Sequence, residues 1–275
     1  MKTATPDHGT SLPTPIKTAT QENPQQRHYD AGAGSVWRGI PLMPLTFIWA
    51  VFFAMLVPIT AVLAPKWFKK HGWWIPRIWG LVPLWWHGVK VDITGEENLD
   101  FEGARILLFN HVSLLDLLVL AKTCPEFSIV IYKEEFHKIP GVGAALRGLG
   151  SIAVNRKNHK AALASMKVAA DRIRENGETV LMAPEGTRSR KGGLQKFKKG
   201  PFHLAIRTGA PVVPFIMRGV DQVLPMGSVW MRPGRVALDI LPPISSEGWK
   251  QETIRDHATD VREVFLQYLE PEVES

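Results

Sequence analysis

The pattern of apolar and polar positions divides the chain into three parts. Residues 1–34 show no apolar periodicity; Thr, Pro and Gln dominate, and basic and acidic side chains balance. Such a segment cannot bury enough apolar surface to repay its ordering entropy, so it reads as a solvated polar tail. From Leu45 to Ala64 runs LTFIWAVFFAMLVPITAVLA, twenty residues without a charge. A helix of that length spans ~30 Å at ~1.5 Å per residue, the thickness of a bilayer core. Pro58 is tolerable within it as a kink. A long polar tail precedes the run and Pro65 comes directly after it, which argues against a cleavable signal peptide. The competing reading is a buried helix of a soluble protein.

Lys66, Lys69 and Lys70 come directly after this run, where the positive-inside rule expects cytoplasmic residues. Residues 73–86 are rich in Trp but too short to span, and Pro76, Arg77 and Pro83 interrupt them. Trp73, Trp74, Trp79, Trp85 and Trp86 suit the membrane–water interface, so this stretch reads as interfacial or re-entrant. Residues 35–87 therefore form a membrane-anchoring helical segment. A single span places the rest of the chain on the cytoplasmic side; a hairpin dipping into one leaflet reaches the same side without crossing.

From residue 88 to residue 275 the pattern is that of an α/β domain. Strands are expected at Lys90–Thr94, Arg105–Asn110, Ser128–Tyr132, Ser151–Asn155, Thr179–Ala183, Val212–Met217 and Arg235–Leu241. Helices are expected at Leu114–Lys122, His137–Leu146, His159–Glu175, Pro201–Thr208 and Gln251–Tyr268. Several strands are continuous apolar runs, as a sheet covered on both faces requires. The fold class is α/β: a mixed, largely parallel sheet flanked by helices and preceded by the anchor.

Composition narrows the chemistry. The 275 residues carry 33 Lys plus Arg against 26 Asp plus Glu, a net charge of +7. A basic balance suits nucleic acid, anionic lipid or a phosphorylated substrate. The apolar anchor turns that choice toward membrane lipids and away from nucleic acid. One cysteine, Cys124, excludes an intramolecular disulfide framework and any multi-cysteine metal site. It comes after an apolar helix and reads as a packed thiol.

Two constellations carry chemistry. In Phe109–Asp116, FNHVSLLD, a strand gives way to an apolar helix, the usual site position in an open α/β sheet. His111 and Asp116 would lie ~140° apart if both were helical, so His111 must sit in the preceding turn for the two to meet. Ser113 with Asp116 three residues on is a capping-box pattern that starts the helix there. The same pattern supports a purely structural alternative in which Asp116 only caps the helix. His87 and Asp92 repeat the spacing, but in an alternating strand, where positions five apart face opposite ways.

The second constellation, Ala183–Gly200, comes after the apolar strand TVLMA. Between Gly186 and Gly200 lie Arg188, Arg190, Lys191, Lys196, Lys198 and Lys199, with no acid among them. Glycines, a hydroxyl and a planar guanidinium suit phosphate recognition, with Arg188 as the fork. The alternative is a solvated basic loop touching lipid headgroups. No nucleophile elbow, Walker loop or complete dinucleotide fingerprint is present.

Over roughly residues 88–245 the chain resembles the phospholipid/glycerol acyltransferase family, its bacterial members especially. Asn110-His111-Val-Ser113-Leu-Leu-Asp116 matches the family's N-H-x4-D block. Gly150 to Arg156 is similar to the second block, with Ala153 and Asn155 as departures. Pro184-Glu185-Gly186-Thr187-Arg188-Ser189 matches the third, with Phe197-Lys198-Lys199-Gly200 after it, and Ala210-Pro211-Val212-Val213-Pro214 matches the fourth. The resemblance implies acyl transfer from coenzyme A or acyl carrier protein, as co-substrate, to the sn-2 hydroxyl of lysophosphatidic acid, giving phosphatidic acid at the bacterial inner membrane. It implies His111 as general base and Asp116 as its partner, with Arg156, Glu185, Gly186, Thr187, Arg188 and Lys198 at the acceptor. That chemistry needs no metal and no bound cofactor. A different acceptor, such as a lyso-ornithine lipid, and a non-catalytic lipid-binding protein are the alternatives.

Overall fold

A computed structural model of the protein describes residues 36–125, 128–139, 141–188 and 193–269. The polar tail and Ser189, Arg190 and Lys191 lie outside the described residues. All seven expected strands form, each end within one residue of its expected place: β1 Val89–Thr94, β2 Ile106–Phe109, β3 Ile129–Lys133, β4 Ile152–Val154, β5 Val180–Met182, β6 Val212–Arg218 and β7 Gly234–Ile240. The helices are α1 Val36–Gly39, α2 Leu42–Leu63, α3 Pro65–His71, α4 Trp74–Trp86, α5 Leu115–Thr123, α6 Val142–Gly148, α7 His159–Asn176, α8 Gly200–Thr208, α9 Val220–Val223 and α10 Ile254–Leu269.

The strands make one sheet in the order β1-β7-β6-β2-β5-β3-β4. Every adjacent pair is parallel except β6 with β7. Five strands therefore point one way, while β7 and β1 return along one edge. Alternation along β2 shows why its run is apolar throughout. Ile106 and Leu108 face a core built with Ile173 of α7, Phe202 of α8 and Phe265 of α10. Leu107 and Phe109 face a second core with Leu115 and Val119 of α5 and Val220 of α9. A strand covered on both faces has no polar side, and all four β2 residues are buried.

One expected helix divides. His137–Leu146 becomes a 3₁₀ turn, Glu134–Lys138, and then α6. A proline cannot supply a helical N–H, and Gly141 next to Pro140 takes a left-handed φ of +77°. That glycine also meets α2: a Cβ on Gly141 would lie 3.1 Å from Cβ of Ala54.

α2 starts three residues before the expected run and is the one helix among the described residues long and apolar enough to cross a membrane. Only 11% of its most apolar window is buried within the protein. Phe47, Ile48, Phe52, Ile59, Val62 and Leu63 face outward, a run of exposed apolar side chains that a soluble core helix does not present, while Phe53 and Val57 pack inward. The Trp-rich stretch is the helix α4, and it packs in two directions. Trp49 Nε1 of α2 donates to the Trp79 carbonyl at 3.3 Å, and Leu84 enters the core that holds Leu107 and Leu115. A Cβ on Gly80 would clash with the Leu118 carbonyl oxygen, so the missing side chain lets α4 lie directly on α5.

Candidate active site

The carboxyl ends of β2, β5 and β4 open on one edge of the sheet, where ligands gather in open α/β folds. β2 leads into Asn110 and His111, β5 into Pro184 and Glu185, and β4 into Asn155 and Arg156. The first two strands are neighbours, which brings the first and third sequence blocks together.

At the end of β2 the backbone leaves the ladder, and the Asn110 side chain takes its place. Its Nδ2 donates to the Met217 carbonyl and its Oδ1 accepts from the Met217 amide, both at 2.8 Å. Asn110 is buried, and this pair of bonds clamps the start of the site turn to β6. Sequence reasoning gave it no role, although an amide ending the run ILLF is the signal of such a clamp.

Asp116 is fully buried in the first turn of α5. Its Oδ2 accepts from His111 Nδ1 at 2.7 Å, from the Val112 amide at 2.8 Å and from the Ser113 amide at 2.9 Å. The structural and chemical readings of Asp116 are therefore both satisfied by one oxygen: it closes the turn and holds the imidazole. The expected capping box is only half formed. Ser113 Oγ accepts from the Leu115 amide at 3.2 Å and donates to the Leu224 carbonyl at 2.7 Å, tying the turn to the segment after α9. Burial pushes the Asp116 carboxyl above its ordinary value, and the His111, Ser113 and Val112 donors oppose that shift.

With Nδ1 donating to Asp116, the other ring nitrogen of His111, Nε2, is left as the acceptor. The side chain is 21% exposed, and the ring packs edge-on against Phe109 at 5.6 Å. The His111 main chain is held separately. Its amide donates to Glu185 Oε1 at 3.0 Å, and Glu185 Oε2 accepts from the Gln195 amide at 2.9 Å. Glu185 is buried, and burial raises its pKa against the pull of these two amides. Its carboxylate is thus spent on two backbone amides from separate segments, and it does not pair with Arg188.

Gly186 comes next with φ +73°, a turn closed by its amide on the Ala183 carbonyl at 3.1 Å. A Cβ there would lie 3.5 Å from Cγ of Lys198 and 3.9 Å from Nη1 of Arg156. Arg156, Gly186 and Lys198 therefore converge, although 42 residues separate the first from the last. Lys198 is fixed by its amide on the Pro184 carbonyl at 2.7 Å. Thr187 is exposed and Arg188 half-buried at the end of the same turn.

The other sequence candidates separate from this cluster. His87 does not pair with Asp92, but the reason differs from the one expected. It lies past the end of α4, not in a strand, and its Nε2 meets Thr46 Oγ1 at 2.8 Å. Asp92 pairs with Arg235 at 2.8 Å instead. Burial pushes the Cys124 thiol up to about 12, so it stays protonated and is no nucleophile.

Residues 90–218 match the family model for acyltransferases. The chain is 33% identical over 192 residues to the 1-acyl-sn-glycerol-3-phosphate acyltransferase of Limnanthes douglasii, covering 70% of this chain and 67% of that one. It is 29% identical over 220 residues to the mouse alpha enzyme of the same name, covering 79% and 76%. Its fold matches the crystal structure of the 1-acyl-sn-glycerophosphate (LPA) acyltransferase PlsC from Thermotoga maritima. The TM-score is 0.71 at 27% identity, over 87% of this chain and 99% of that one. The first three sequence blocks meet at the carboxyl edge of this sheet, while the fourth, Ala210–Pro214, opens β6 at the opposite edge beside Ile106. By these likenesses of sequence and fold, the chain belongs to the acyltransferase family.

Proposed function

We propose that the protein transfers an acyl chain from an acyl thioester, on coenzyme A or acyl carrier protein, to the sn-2 hydroxyl of 1-acylglycerol-3-phosphate. The observation that carries this reading is the His111 Nδ1–Asp116 Oδ2 bond of 2.7 Å, which leaves Nε2 of a partly exposed imidazole as the base. As the acceptor oxygen attacks the thioester carbonyl, its proton passes to Nε2. The new ester C–O bond forms, the C–S bond breaks, and the proton goes on to the departing thiolate. Asp116 holds the tautomer and stabilises the imidazolium, as in a hydrolase triad whose serine is replaced by the substrate alcohol. No acyl-enzyme is required.

Arg156 and Lys198, converging at Gly186, are the groups for the acceptor phosphate, with Thr187 and Arg188 beside them. A phosphate monoester carries about −1.5 to −2 charge and offers three acceptor oxygens, which guanidinium forks engage in pairs. The apolar helix α2 fits an acceptor and a product that both partition into lipid, and Lys66, Lys69 and Lys70 fit a catalytic domain on the cytoplasmic face of a bacterial inner membrane. The names and identity of the relatives support the acceptor; the thioester is inferred from the chemistry.

The test is product analysis by mass spectrometry, using purified protein, acyl-CoA or acyl-acyl carrier protein, and a panel of lysolipids. Formation of phosphatidic acid in preference to other products supports the reading. Preference for a lyso-ornithine lipid overturns the acceptor, and no thioester consumption with any acceptor overturns the enzyme.

A further inference from the structure

The sheet topology places a second apolar surface on the same edge as His111. β7 runs antiparallel to β6, and β1 parallel to β7, so both begin at the edge where β2 and β6 end. The segments leading into β1 and β7 therefore lie on the active-site side. They carry large exposed apolar side chains: Trp85 is 76% exposed, Val229 57% and Trp230 40%, with Met226 beside them. Trp37 of α1, 78% exposed, stands two residues before Gly39, where α1 meets the loop. Gly39 packs directly on the Met231 carbonyl, and a Cβ on Gly88 would lie 3.5 Å from Cβ of Pro233.

This surface continues into α2. His87 meets Thr46 of α2 at 2.8 Å, and Trp86 Nε1 donates to the same Thr46 hydroxyl at 3.2 Å. The outward apolar face of α2 and the Trp-bearing loop thus share one border. The loop is held, not loose. Ser228 N–H donates to the Pro225 carbonyl, Trp230 N–H to Ser228 Oγ and Arg232 N–H to the Val223 carbonyl, at 2.9–3.0 Å. Its stem is one bond from the site, through Ser113 Oγ on the Leu224 carbonyl. Its charge has one sign: Arg38 and Arg232 are exposed, and no acid occurs between Gln222 and Leu238.

We propose that the 225–231 loop, with Trp37 and Trp85, inserts into the headgroup region of an anionic bilayer as a second membrane contact beside α2. Tryptophans bordered by arginines suit the interface, where rings take the acyl boundary and guanidiniums the lipid phosphates. Two separated contacts fix the tilt of the sheet as well as its distance from the membrane. The tilt they impose turns the carboxyl-end edge, and with it His111, toward the lipid that supplies the acceptor. This inference rests on the membrane reading of α2.

The test uses the full chain with Cys124→Ala, carrying an environment-sensitive fluorophore on Ser228→Cys, at one protein per anionic-lipid nanodisc. A control label is placed on Glu247→Cys, exposed at the opposite edge of the sheet. The expected result is a blue shift at position 228 with quenching by nitroxide-bearing lipids and protection from iodide, and neither effect at position 247. Iodide quenching at 228 without nitroxide quenching overturns the proposal. So does protection that appears only when two chains share a disc, since the patch is then an interface between copies. Label depth is read without turnover, so this failure is distinct from failure of the acyltransferase assignment. As a second readout, Val229→Asp with Trp230→Asp raises KM for acceptor presented in bilayers and leaves KM unchanged for acceptor dispersed in detergent; equal KM in both presentations contradicts the proposal.

Discussion

Glu185 Oε1 accepts the backbone N–H of His111 at 3.0 Å across 74 residues of sequence. The same carboxylate receives the Gln195 amide, so a single buried side chain sets the position of the histidine turn and of the basic loop together. The third sequence block thus reaches His111 through its main chain. Glu185 is a positioning residue by this geometry, and under the proposed function the acceptor phosphate falls to Arg156, Arg188 and Lys198.

Replacing Glu185 by Gln keeps one acceptor oxygen and presents an NH₂ group to the second amide. One buried N–H then loses its partner, at a cost of roughly 1–3 kcal/mol. The pH dependence has a definite sign. A carboxyl whose folded-state pKa is raised by burial contributes stability that is lost as pH rises through that value. The stability difference between wild type and Glu185→Gln should therefore shift in favour of wild type as pH falls from neutral toward the ordinary Glu value of 4.5. Denaturant unfolding of both proteins across that window measures it; a shift toward the variant contradicts the assignment.

Gly80 predicts a packing effect far from the chemistry. Any Cβ there meets the Leu118 carbonyl of α5, a backbone atom that cannot swing aside. Gly80→Val should cost about 1–3 kcal/mol by overpacking. Because α5 carries Asp116, kcat should fall more than KM rises. Unchanged thermal unfolding and unchanged turnover would show that α4 and α5 are not held at this separation.

For the acceptor, Arg188→Lys conserves charge and removes the fork. Loss of a charged hydrogen bond is worth roughly 1.5–3 kcal/mol, about ten- to a hundred-fold in kcat/KM. That penalty should appear with lysophosphatidic acid and shrink with an acceptor lacking a phosphate monoester. Arg156→Lys should show the same contrast, since its guanidinium lies beside Gly186. Equal penalties with both acceptors would assign these arginines to the loop's own structure.

Most of the strands were legible as short apolar runs bounded by turn residues, since burial on both faces leaves β2, β5 and β6 no polar side to blur the pattern, while β1 was legible by its alternation. The His111–Asp116 pair was legible as an alternative only. Spacing admitted both a cap and a His–Asp contact, and the fold gives both to Asp116 Oδ2, which accepts from the turn amides and from the imidazole. The convergence of Arg156 with Lys198, and the hold of Glu185 on His111, depend on strand order, which local pattern does not encode. The break near Gly141 was present in the sequence as Pro-Gly, and apolar periodicity concealed it. The clamp at Asn110 needs β6 beside β2, a neighbour more than 100 residues away.

The measurement closest to the central claim is single-turnover acyl transfer by His111→Ala in protein whose circular dichroism and thermal unfolding match wild type. A positioned general base contributes at least ~10²-fold, so transfer to lysophosphatidic acid should fall by at least that factor. Asp116→Asn should also be severely impaired, because an amide cannot stabilise the imidazolium and no longer fixes which ring nitrogen carries the proton. Near-normal transfer by folded His111→Ala protein would contradict the account, whatever the acceptor or donor proved to be.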